Sequence, residues 1–194
     1  MKGLKMASEI KYLTKEELEE IFKIIEKSKS RHKVRDIAII KIAYFCGLRA
    51  SEIGKIKYSD YNKEQKQIYC NRLNGSISNI ICINDDTALY LNEYIEKYNI
   101  QDGEILFKSQ EGRPISRKTL DIIIKKYFKM ANIEDIDKYH FHTLKHTRAM
   151  HLVNMGLSID QLSCWLGHKN INNSSKYYEK IENIKTLKIE DMMV

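Results

Sequence analysis

Basic and protonatable residues are concentrated in one short stretch of the chain, "HTLKHTRAMH" at residues 142–151. His142, Lys145 and His146 fall within little more than one turn if this stretch is a helix. Imidazole groups exchange protons near neutral pH, and a lysine ammonium neutralises anionic oxygens. Residues of these types at this spacing are suited to holding a phosphate group and moving protons around it.

A metal site is the alternative for the two histidines, because His142 and His146 at positions i and i+4 share one helix face. Zinc needs at least a third protein ligand, and no Cys-x-x-Cys pair lies nearby. The zinc hydrolase motif also needs a glutamate beside the first histidine, where this chain has Thr143. We therefore expect no metal ion at these histidines.

Two further segments carry residues of the same chemical character. They are "CGLRASEI" at 46–53 and "LGHKNINNSSKYY" at 166–178. With "HTLKHT" they resemble the tyrosine recombinase (phage integrase) family, whose signature is an arginine after Gly-Leu, a His-x-x-Arg on a helix, a Leu-Gly-His, and a tyrosine nine residues beyond that histidine. The matching positions in this chain are Arg49, His142 with Lys145, His168 and Tyr177.

The resemblance implies a chemical role for each matched residue. Tyr177 would attack a DNA phosphodiester, and Arg49 would clamp a non-bridging oxygen with its fork of donors. His142 would hydrogen-bond the phosphate or help remove the tyrosine proton, and His168 would donate a hydrogen bond to the phosphate. Without the resemblance, Arg49 would be a solvated loop residue and His142 a core histidine. Tyr177 and its neighbour Tyr178 would be ordinary helix tyrosines; the register of the motif favours Tyr177 as the nucleophile.

The chain departs from the family pattern at two positions. Lys145 replaces the arginine of His-x-x-Arg and lacks its bidentate fork, so we expect weakened phosphate geometry but not lost function. Arg148, one turn on, would be a partial substitute only if the helix presented that face to the phosphate, and the rotation over three helical residues argues against it. The family also keeps a lysine at a β-hairpin turn to protonate the 5′-oxygen leaving group, whereas "YCNRLNGSISN" has only Arg72 as a basic residue. Because a guanidinium is a poor acid, Arg72 would contact DNA at the hairpin while water or another lysine acts as the acid.

Within the family, the resemblance is closest to the short fimbrial phase-switch invertases. The matching pieces are "RASEIGKIKYSD", Arg72-Leu73 and "LVNMGLSIDQ". Those invertases lack a separate N-terminal core-binding domain. We therefore expect residues 1–194 to form a single tyrosine recombinase catalytic domain without one. The C-terminal tail, about 183–194, would dock on a neighbouring subunit or pack on its own domain.

Hydrophobic periodicity predicts the elements that position these residues. A capping box at Thr14 begins a first helix over about 15–28, and a buried second helix ends at Gly47, directly before Leu48 and Arg49. A short third helix begins in "SEIGKI". The Asn74-Gly75 pair predicts the turn of a β-hairpin over about 67–84, and "EILF" predicts a third short strand.

The second half of the sequence predicts helices. Amphipathic patterns with Asp and Ser caps occur in "DDTALYLNEYIEKYN" and "SRKTLDIIIKKYFKMAN", and three further helices are expected over about 143–155, 159–166 and 171–182. The expected fold class is mainly α with a small antiparallel β-sheet. The resemblance implies the catalytic fold of DNA breaking-rejoining enzymes.

The basic composition favours a polyanionic partner or an acidic membrane surface. The 33 Lys and Arg residues against 26 Asp and Glu residues give a net charge of +7, which suits either of them. No apolar run reaches the roughly 20 residues of a membrane helix, and the N-terminus lacks the apolar core of a signal peptide. We expect a cytoplasmic, nucleoid-associated protein without membrane contact, whose four scattered cysteines are reduced and mostly buried.

The resemblance implies site-specific DNA recombination through a 3′-phosphotyrosyl intermediate, with inversion or excision of a DNA segment, and this scheme requires no metal ion or other cofactor. One alternative is a DNA-binding regulator that keeps the fold but is catalytically impaired by Lys145 and the missing hairpin lysine. The other is a relaxing enzyme resembling type IB topoisomerases, which the chain's size and its "LGH" segment argue against. Expected partners are double-stranded DNA, further copies in a homotetramer on DNA, and accessory DNA-bending proteins.

Overall fold

The computed structural model describes residues 9–192; the side chains of residue 183 and of residues 185–192 lie outside its described part. Within it the elements are α1 Lys15–Lys27, α2 Lys33–Cys46, α3 Ala50–Ile53, β1 Tyr61–Asn62, β2 Gln67–Cys70, β3 Asn79–Cys82, α4 Asp85–Tyr98, α5 Arg117–Met130, α6 His142–Asn154, α7 Ile159–Leu166 and α8 Asn172–Met192. The predicted fold class, mainly α with a small antiparallel sheet, is confirmed.

Helix α2 lies at the centre of the main core. It contacts α1, α4 and α6, and its buried side chains run around the helix, as its nearly continuous apolar sequence predicted. The helix ends at Gly47, whose φ of 60° is left-handed. A side chain there would also collide, because a Cβ atom would lie 2.7 Å from Leu166 Cδ2 of α7. This tight turn fixes the position of Leu48 and Arg49.

The three strands form an antiparallel sheet in the order β1-β2-β3. The predicted hairpin is confirmed, with Ile68 opposite Ile81 and a turn in which Asn74 and Gly75 have φ of 57° and 73°. The third strand predicted at "EILF" is wrong. Strand β1 occupies the free edge of β2, and Ile105 forms only an isolated bridge with Lys57, before β1. Both edges of β2 are therefore already paired.

Helix caps agree with the sequence patterns, with one change of residue. Thr14 Oγ1 accepts from the Glu17 amide at 3.1 Å, and Glu17 Oε2 accepts from the Thr14 amide at 2.7 Å, which is the predicted capping box. Ser116 caps α5 as predicted. Helix α4 is capped by Asn84, not by an aspartate, because Asn84 Oδ1 accepts from the Thr87 amide at 3.1 Å.

The C-terminal helices form a second hydrophobic cluster. Helices α6, α7 and α8 pack on one another, with Met150, Leu162, Leu166 and Tyr177 buried between them. Helix α6 also packs on α2, so it joins the two clusters. Helix α8 continues to Met192, beyond its predicted end at 182. The predicted docking of the tail depends on side chains that lie almost entirely outside the described residues.

The cysteines differ in their exposure to solvent. Cys46 and Cys70 are buried, whereas Cys82 and Cys164 are exposed, and all four thiols are free. The expectation of mostly buried cysteines therefore holds for two of them. Among the described helices, none combines the length and the apolar character needed to cross a bilayer.

Candidate active site

The five predicted catalytic side chains line one pocket of about 320 Å³. They come from four separate parts of the fold: Arg49 before α3, His142 and Lys145 on α6, His168 after α7, and Tyr177 on α8. Three further residues line the same pocket: His146, Asn173 and Lys176. Among the described residues, the lining carries several cationic or protonatable groups and no carboxylate. Such a pocket is suited to an anion.

Arg49 is held in place by a buried carboxylate. Its Nη1 donates to Glu52 Oε1 at 2.9 Å, and its backbone amide donates to Glu52 Oε2 at 2.7 Å. Burial of Glu52 alone would raise its pKa, but the amide of Arg49 and the charges of Lys145, Arg72 and Arg49 lower the pKa overall. The Arg49 side chain keeps about a third of its surface exposed (34%), so it can still reach a ligand.

Arg72 has a different environment from the one expected. Its side chain is fully buried (0% exposed), and its guanidinium donates to the carbonyl oxygens of Cys46 at 2.8 Å, Gly47 at 3.0 Å and Trp165 at 2.8 Å. Its Nε donates to Asn79 Oδ1 at 3.2 Å, and Nη1 lies 3.5 Å from Glu52 Oε2. The expected hairpin contact of Arg72 with DNA has no support in this arrangement, because protein acceptors engage its donors.

The acceptors of Arg72 belong to the C-terminal ends of α2 and α7. Carbonyl groups at a helix C-terminus lack partners within the helix and carry partial negative charge. Arg72 therefore caps both helices and ties them to the β-hairpin. The turn after α2 leads to Arg49, and the turn after α7 leads to His168. Arg72 thus positions two pocket residues without lining the pocket.

Lys145 is buried and donates from Nζ to the carbonyl oxygen of Leu166 at 3.1 Å. Burial, with the nearby charges of Arg72 and Arg49, lowers its pKa to about 7. A lysine in this state exchanges its proton near neutral pH, which an arginine cannot do. Arg148 does not substitute for it in the pocket, because its guanidinium lies 4.2 Å from the ring centre of Phe45 and 4.8 Å from that of Trp165.

His168 is oriented by two serines. Ser163 Oγ donates to Ser174 Oγ at 2.8 Å, and Ser174 Oγ lies 2.8 Å from His168 Nδ1. Since the Ser174 oxygen already accepts a hydrogen bond from Ser163, its own hydroxyl is free to donate to Nδ1, and we therefore assign the His168 proton to Nε2. Burial and the charges of Lys145 and Arg49 lower the pKa of His168 to about 4. Neutral His168 can therefore donate a hydrogen bond from Nε2.

Tyr177, and not Tyr178, lines the pocket. The Tyr177 hydroxyl lies 2.9 Å from His146 Nδ1, whereas the Tyr178 hydroxyl donates to the carbonyl oxygen of Leu157 at 2.6 Å. Burial raises the pKa of Tyr177 although the charge of Arg49 opposes the rise. The phenol is thus protonated at neutral pH and needs a proton acceptor before it can act as a nucleophile.

The histidines of α6 form a short series that ends at this tyrosine. The centre of the His142 ring lies 5.3 Å from that of His140, on which it stacks, and 5.4 Å from that of His146, which it meets edge-on. His142 and His146 share one face, as the alternative of a metal site required. In the part of the chain that the structure describes, no three His, Cys, Asp or Glu side chains are placed to hold a metal ion.

Comparison with known proteins identifies the family to which this chain belongs. Residues 11–183 match the sequence model of the Phage integrase family, which covers all five predicted catalytic residues. The chain belongs to the phage integrase family. The resemblance inferred from three short motifs is confirmed over most of the chain.

Curated tyrosine recombinases and a related regulatory protein match most of this chain. The chain is 34% identical over 170 residues to tyrosine recombinase XerC of Caldanaerobacter subterraneus subsp. tengcongensis, covering 86% of this chain and 46% of that protein. It is 28% identical over 169 residues to the type 1 fimbriae regulatory protein FimB of Escherichia coli K12, covering 86% of this chain and 82% of that protein. The chain spans about half the length of the first XerC proteins that it matches.

Solved structures of integrase-family proteins share the fold. The XerH recombinase in its post-cleavage complex with a palindromic difH substrate superposes with a TM-score of 0.82 at 21% identity, covering 97% of this chain and 56% of that chain. The catalytic domain of bacteriophage HP1 integrase gives a TM-score of 0.65 at 19% identity, covering 88% of both chains. The predicted fold is therefore confirmed.

Three residues that contact the predicted catalytic side chains were not predicted from the sequence to make these contacts. Glu52 stands three residues after Arg49, which is the spacing of a capping box and could have indicated its contact with the Arg49 amide. Ser174 carried no signal, because its role depends on the packing of α8 against α7. His146 was predicted to be part of a basic, protonatable stretch or a metal ligand, and its contact with Tyr177 was missed because it joins residues 31 positions apart.

Proposed function

We propose that this chain is the catalytic part of a site-specific DNA recombinase that inverts or excises a DNA segment. Tyr177 attacks a backbone phosphate and forms a 3′-phosphotyrosyl bond, releasing a 5′-hydroxyl that can later attack the same bond in a partner strand. The observation that carries the proposal is the convergence of Arg49, Lys145, His168 and Tyr177 in one pocket. This convergence supplies a nucleophile and a surrounding set of anion-binding groups.

Three of these groups complement the charge of the phosphate. Arg49 is anchored by Glu52 and can bind a non-bridging oxygen, and His168 can donate from Nε2 to another. Lys145 supplies a further cation when protonated. Because these groups are fixed by protein contacts before a ligand enters, they can stabilise the additional charge of the transition state without rearranging.

Lys145 is also the best candidate for the acid that protonates the 5′-oxygen. The hairpin offers only Arg72, whose guanidinium is buried against protein carbonyls. Lys145 has a pKa of about 7, lowered mainly by burial, so it can lose a proton to a leaving oxygen near neutral pH. Its position in the pocket thus compensates for the absence of the hairpin lysine.

The catalytically impaired regulator is the second candidate function. It is favoured by the lysine at position 145 and by the hairpin without a lysine, both of which remove groups that the family uses for catalysis. Such a protein would bind DNA through the same cationic pocket and form no covalent bond. The two functions therefore differ in one chemical product, the DNA-tyrosine adduct.

We further propose that the recombinase acts on chromosomal DNA at the nucleoid as a homotetramer on two DNA sites. The net charge of +7 favours the DNA partner. Accessory DNA-bending proteins would help bring the two sites together. The C-terminal end of α8 is the proposed contact between neighbouring subunits.

Capture of the covalent adduct tests the function without knowledge of the target. The purified chain is incubated with fragmented DNA from the genome that encodes it, denatured with detergent, and the DNA attached to protein is sequenced. We expect adducts at a discrete repeated sequence with the native chain and with Tyr178→Phe, and none with Tyr177→Phe. Tyr178 is the matched control because its hydroxyl binds Leu157 outside the pocket.

The other outcomes separate the alternatives. No adduct with the native chain, together with sequence-specific DNA binding, would support the regulator. Adducts without sequence preference, accompanied by relaxation of a supercoiled plasmid, would support a topoisomerase-like activity.

A further inference from the structure

We propose that His146 is a catalytic residue of this site and receives the phenolic proton of Tyr177 when the tyrosine attacks DNA. The inference rests on the proposed function, because it concerns the same strand cleavage. It assigns to His146 the proton transfer that the sequence pattern had offered to His142.

The contact between the two side chains is direct. His146 Nδ1 lies 2.9 Å from the Tyr177 hydroxyl oxygen, which is a hydrogen-bond distance. Both residues line the pocket, and Tyr177 is 1% exposed, so its hydroxyl is shielded from bulk solvent. A proton leaving the buried phenol therefore has an acceptor already in contact with it.

His142 occupies a different position in the same pocket. Its ring is exposed and stacks on the His140 ring, with 5.3 Å between the ring centres. It meets the His146 ring edge-on, with 5.4 Å between the ring centres. His146 thus stands between His142 and the tyrosine. His142 is placed to bind the phosphate or to influence His146, and His146 is placed to take the proton.

The surroundings of His146 keep its imidazole neutral. Burial is the main cause of its lowered pKa, about 3, and the positive charges of Lys176 and Lys145 lower that pKa further. The imidazole is therefore neutral at physiological pH and has one nitrogen with a free lone pair. We assign this lone pair to Nδ1, which makes the Tyr177 hydroxyl the donor of the bond.

An entering DNA phosphate favours the transfer of a proton from Tyr177 to His146. Its negative charge opposes the surrounding cations that hold down the proton affinity of His146. In the free protein the proton stays on Tyr177, because burial raises the phenol pKa. Proton transfer is then coupled to the presence of DNA, and the nucleophile is not generated in its absence.

Strand cleavage moves one proton from Tyr177 to His146 and another from Lys145 to the leaving oxygen. The Tyr177 oxygen forms a bond to phosphorus while its proton passes to His146 Nδ1. The bond from phosphorus to the 5′-oxygen breaks, and that oxygen takes a proton from Lys145. In the rejoining step the imidazolium of His146 returns its proton to the tyrosine oxygen as the 5′-hydroxyl attacks, and Lys145 recovers the proton of that hydroxyl.

The first test compares His146→Asn with His146→Ala in the adduct assay. The Asn oxygen can accept a hydrogen bond near the Nδ1 position but cannot take up a proton at neutral pH. We expect both variants to form the adduct at least about 100-fold more slowly than the native chain, as for loss of a general base. A purely positioning role would leave His146→Asn at the native rate, which would overturn the proposal.

A matched control lies on the same helix. His151 Nδ1 is 2.9 Å from the Tyr44 hydroxyl, a second His-Tyr pair of the same length that does not line the pocket. His151→Asn should form the adduct within about threefold of the native rate, since it changes a similar bond without touching the reaction. Circular dichroism and urea unfolding verify that each variant is folded.

A second test separates the proton acceptor from the acid. A DNA substrate with sulfur in place of the bridging 5′-oxygen needs no acid, because a thiolate leaves without a proton. We expect this substrate to restore cleavage by a Lys145 variant but not by His146→Asn. Restoration of the His146 variant to the native rate would contradict its role as the proton acceptor.

A third test does not depend on activity. Nitrogen-15 NMR of histidine-labelled protein distinguishes a protonated ring nitrogen from an unprotonated one. We expect His146 Nδ1 to be an unprotonated acceptor at pH 7 whose resonance moves in Tyr177→Phe. A protonated Nδ1 would overturn the inference, whereas lack of any adduct from the native chain would instead overturn the proposed function.

Discussion

The guanidinium of Arg72 donates to the carbonyl oxygen of Gly47 at 3.0 Å, two residues before Arg49. Through this bond the β-hairpin fixes the turn from which Arg49 emerges. The same guanidinium binds the Trp165 carbonyl at 2.8 Å, close to the turn that carries His168. One buried side chain therefore sets the relative positions of two pocket residues from distant parts of the sequence.

Replacing Arg72 should destabilise the whole domain. Arg72→Met would leave Glu52 without one of its nearby cations and the carbonyls of Cys46 and Gly47 without their donor. We expect a loss of about 3 kcal/mol in the free energy of unfolding, typical of breaking a buried ionic network. Urea unfolding measures it, and Arg113→Met, at an exposed side chain (81%), is the control. Equal unfolding midpoints for the two variants would contradict the role assigned to Arg72.

The ends of helices and the hairpin turn were predictable from the local sequence. The capping box at Thr14, the end of α2 at Gly47 and the Asn74-Gly75 turn each depend on residues close together in the chain. His168 and Tyr177 were predicted from the resemblance of one short motif to the family pattern. Such features need no knowledge of tertiary packing.

The contacts between distant segments were not predictable in the same way. The capping of α2 and α7 by Arg72 joins residues up to 93 positions apart, and an arginine in a hairpin reads from sequence as an exposed cation. The contact of His146 with Tyr177 depends on how α6 packs against α8. The strand expected at "EILF" failed for the same reason, because the pairing of β2 with β1 is a tertiary property.

Gly167 should tolerate alanine much less well than another left-handed glycine. A Cβ atom at Gly167 would lie 2.5 Å from the Ile77 carbonyl oxygen, whereas none of the atoms around Gly156 comes within 4 Å of such a Cβ. Both glycines have positive φ, of 68° and 90°. We expect Gly156→Ala to lose about 1 kcal/mol from backbone strain and Gly167→Ala about 2 kcal/mol more, measured by urea unfolding. Similar losses at the two positions would show that the turn after α7 can move aside.

Lys145 should make the stability of the domain depend on pH above neutrality. Its pKa is about 7 in the folded protein against an ordinary 10.5, so between these values the unfolded chain binds the proton and the folded protein does not. Stability of the native chain relative to Lys145→Met should therefore rise as the pH increases through this window. The variant should be the more stable protein at pH 6.5, by at least about 2 kcal/mol, and should lose that advantage toward pH 10.5.

Unfolding midpoints of the two proteins across this pH range measure the effect. Lys129→Met serves as the control, because Lys129 lies on the exposed face of α5. A constant difference between the native chain and Lys145→Met at all pH values would show that Lys145 does not titrate in this window.

The protonation of Lys145 should also control the rate of DNA cleavage. If Lys145 protonates the leaving oxygen, the second-order rate of adduct formation by the native chain should fall as the pH rises above about 7. Lys145→Arg keeps the charge but cannot give up its proton, so it should cleave ordinary DNA at least about 100-fold more slowly. It should recover on DNA with a bridging 5′-sulfur. An arginine variant with the native rate on ordinary DNA would limit Lys145 to neutralising the phosphate.

The central claim is that Tyr177 breaks and rejoins DNA at specific sites. Its most direct test is long-read sequencing of the encoding genome in cultures that carry either the native protein or Tyr177→Phe. We expect DNA segments in two orientations, or excised segments, only with the native protein, and the new junctions would define the target site. Rearrangements at equal frequency in both cultures, or none in either, would contradict the claim.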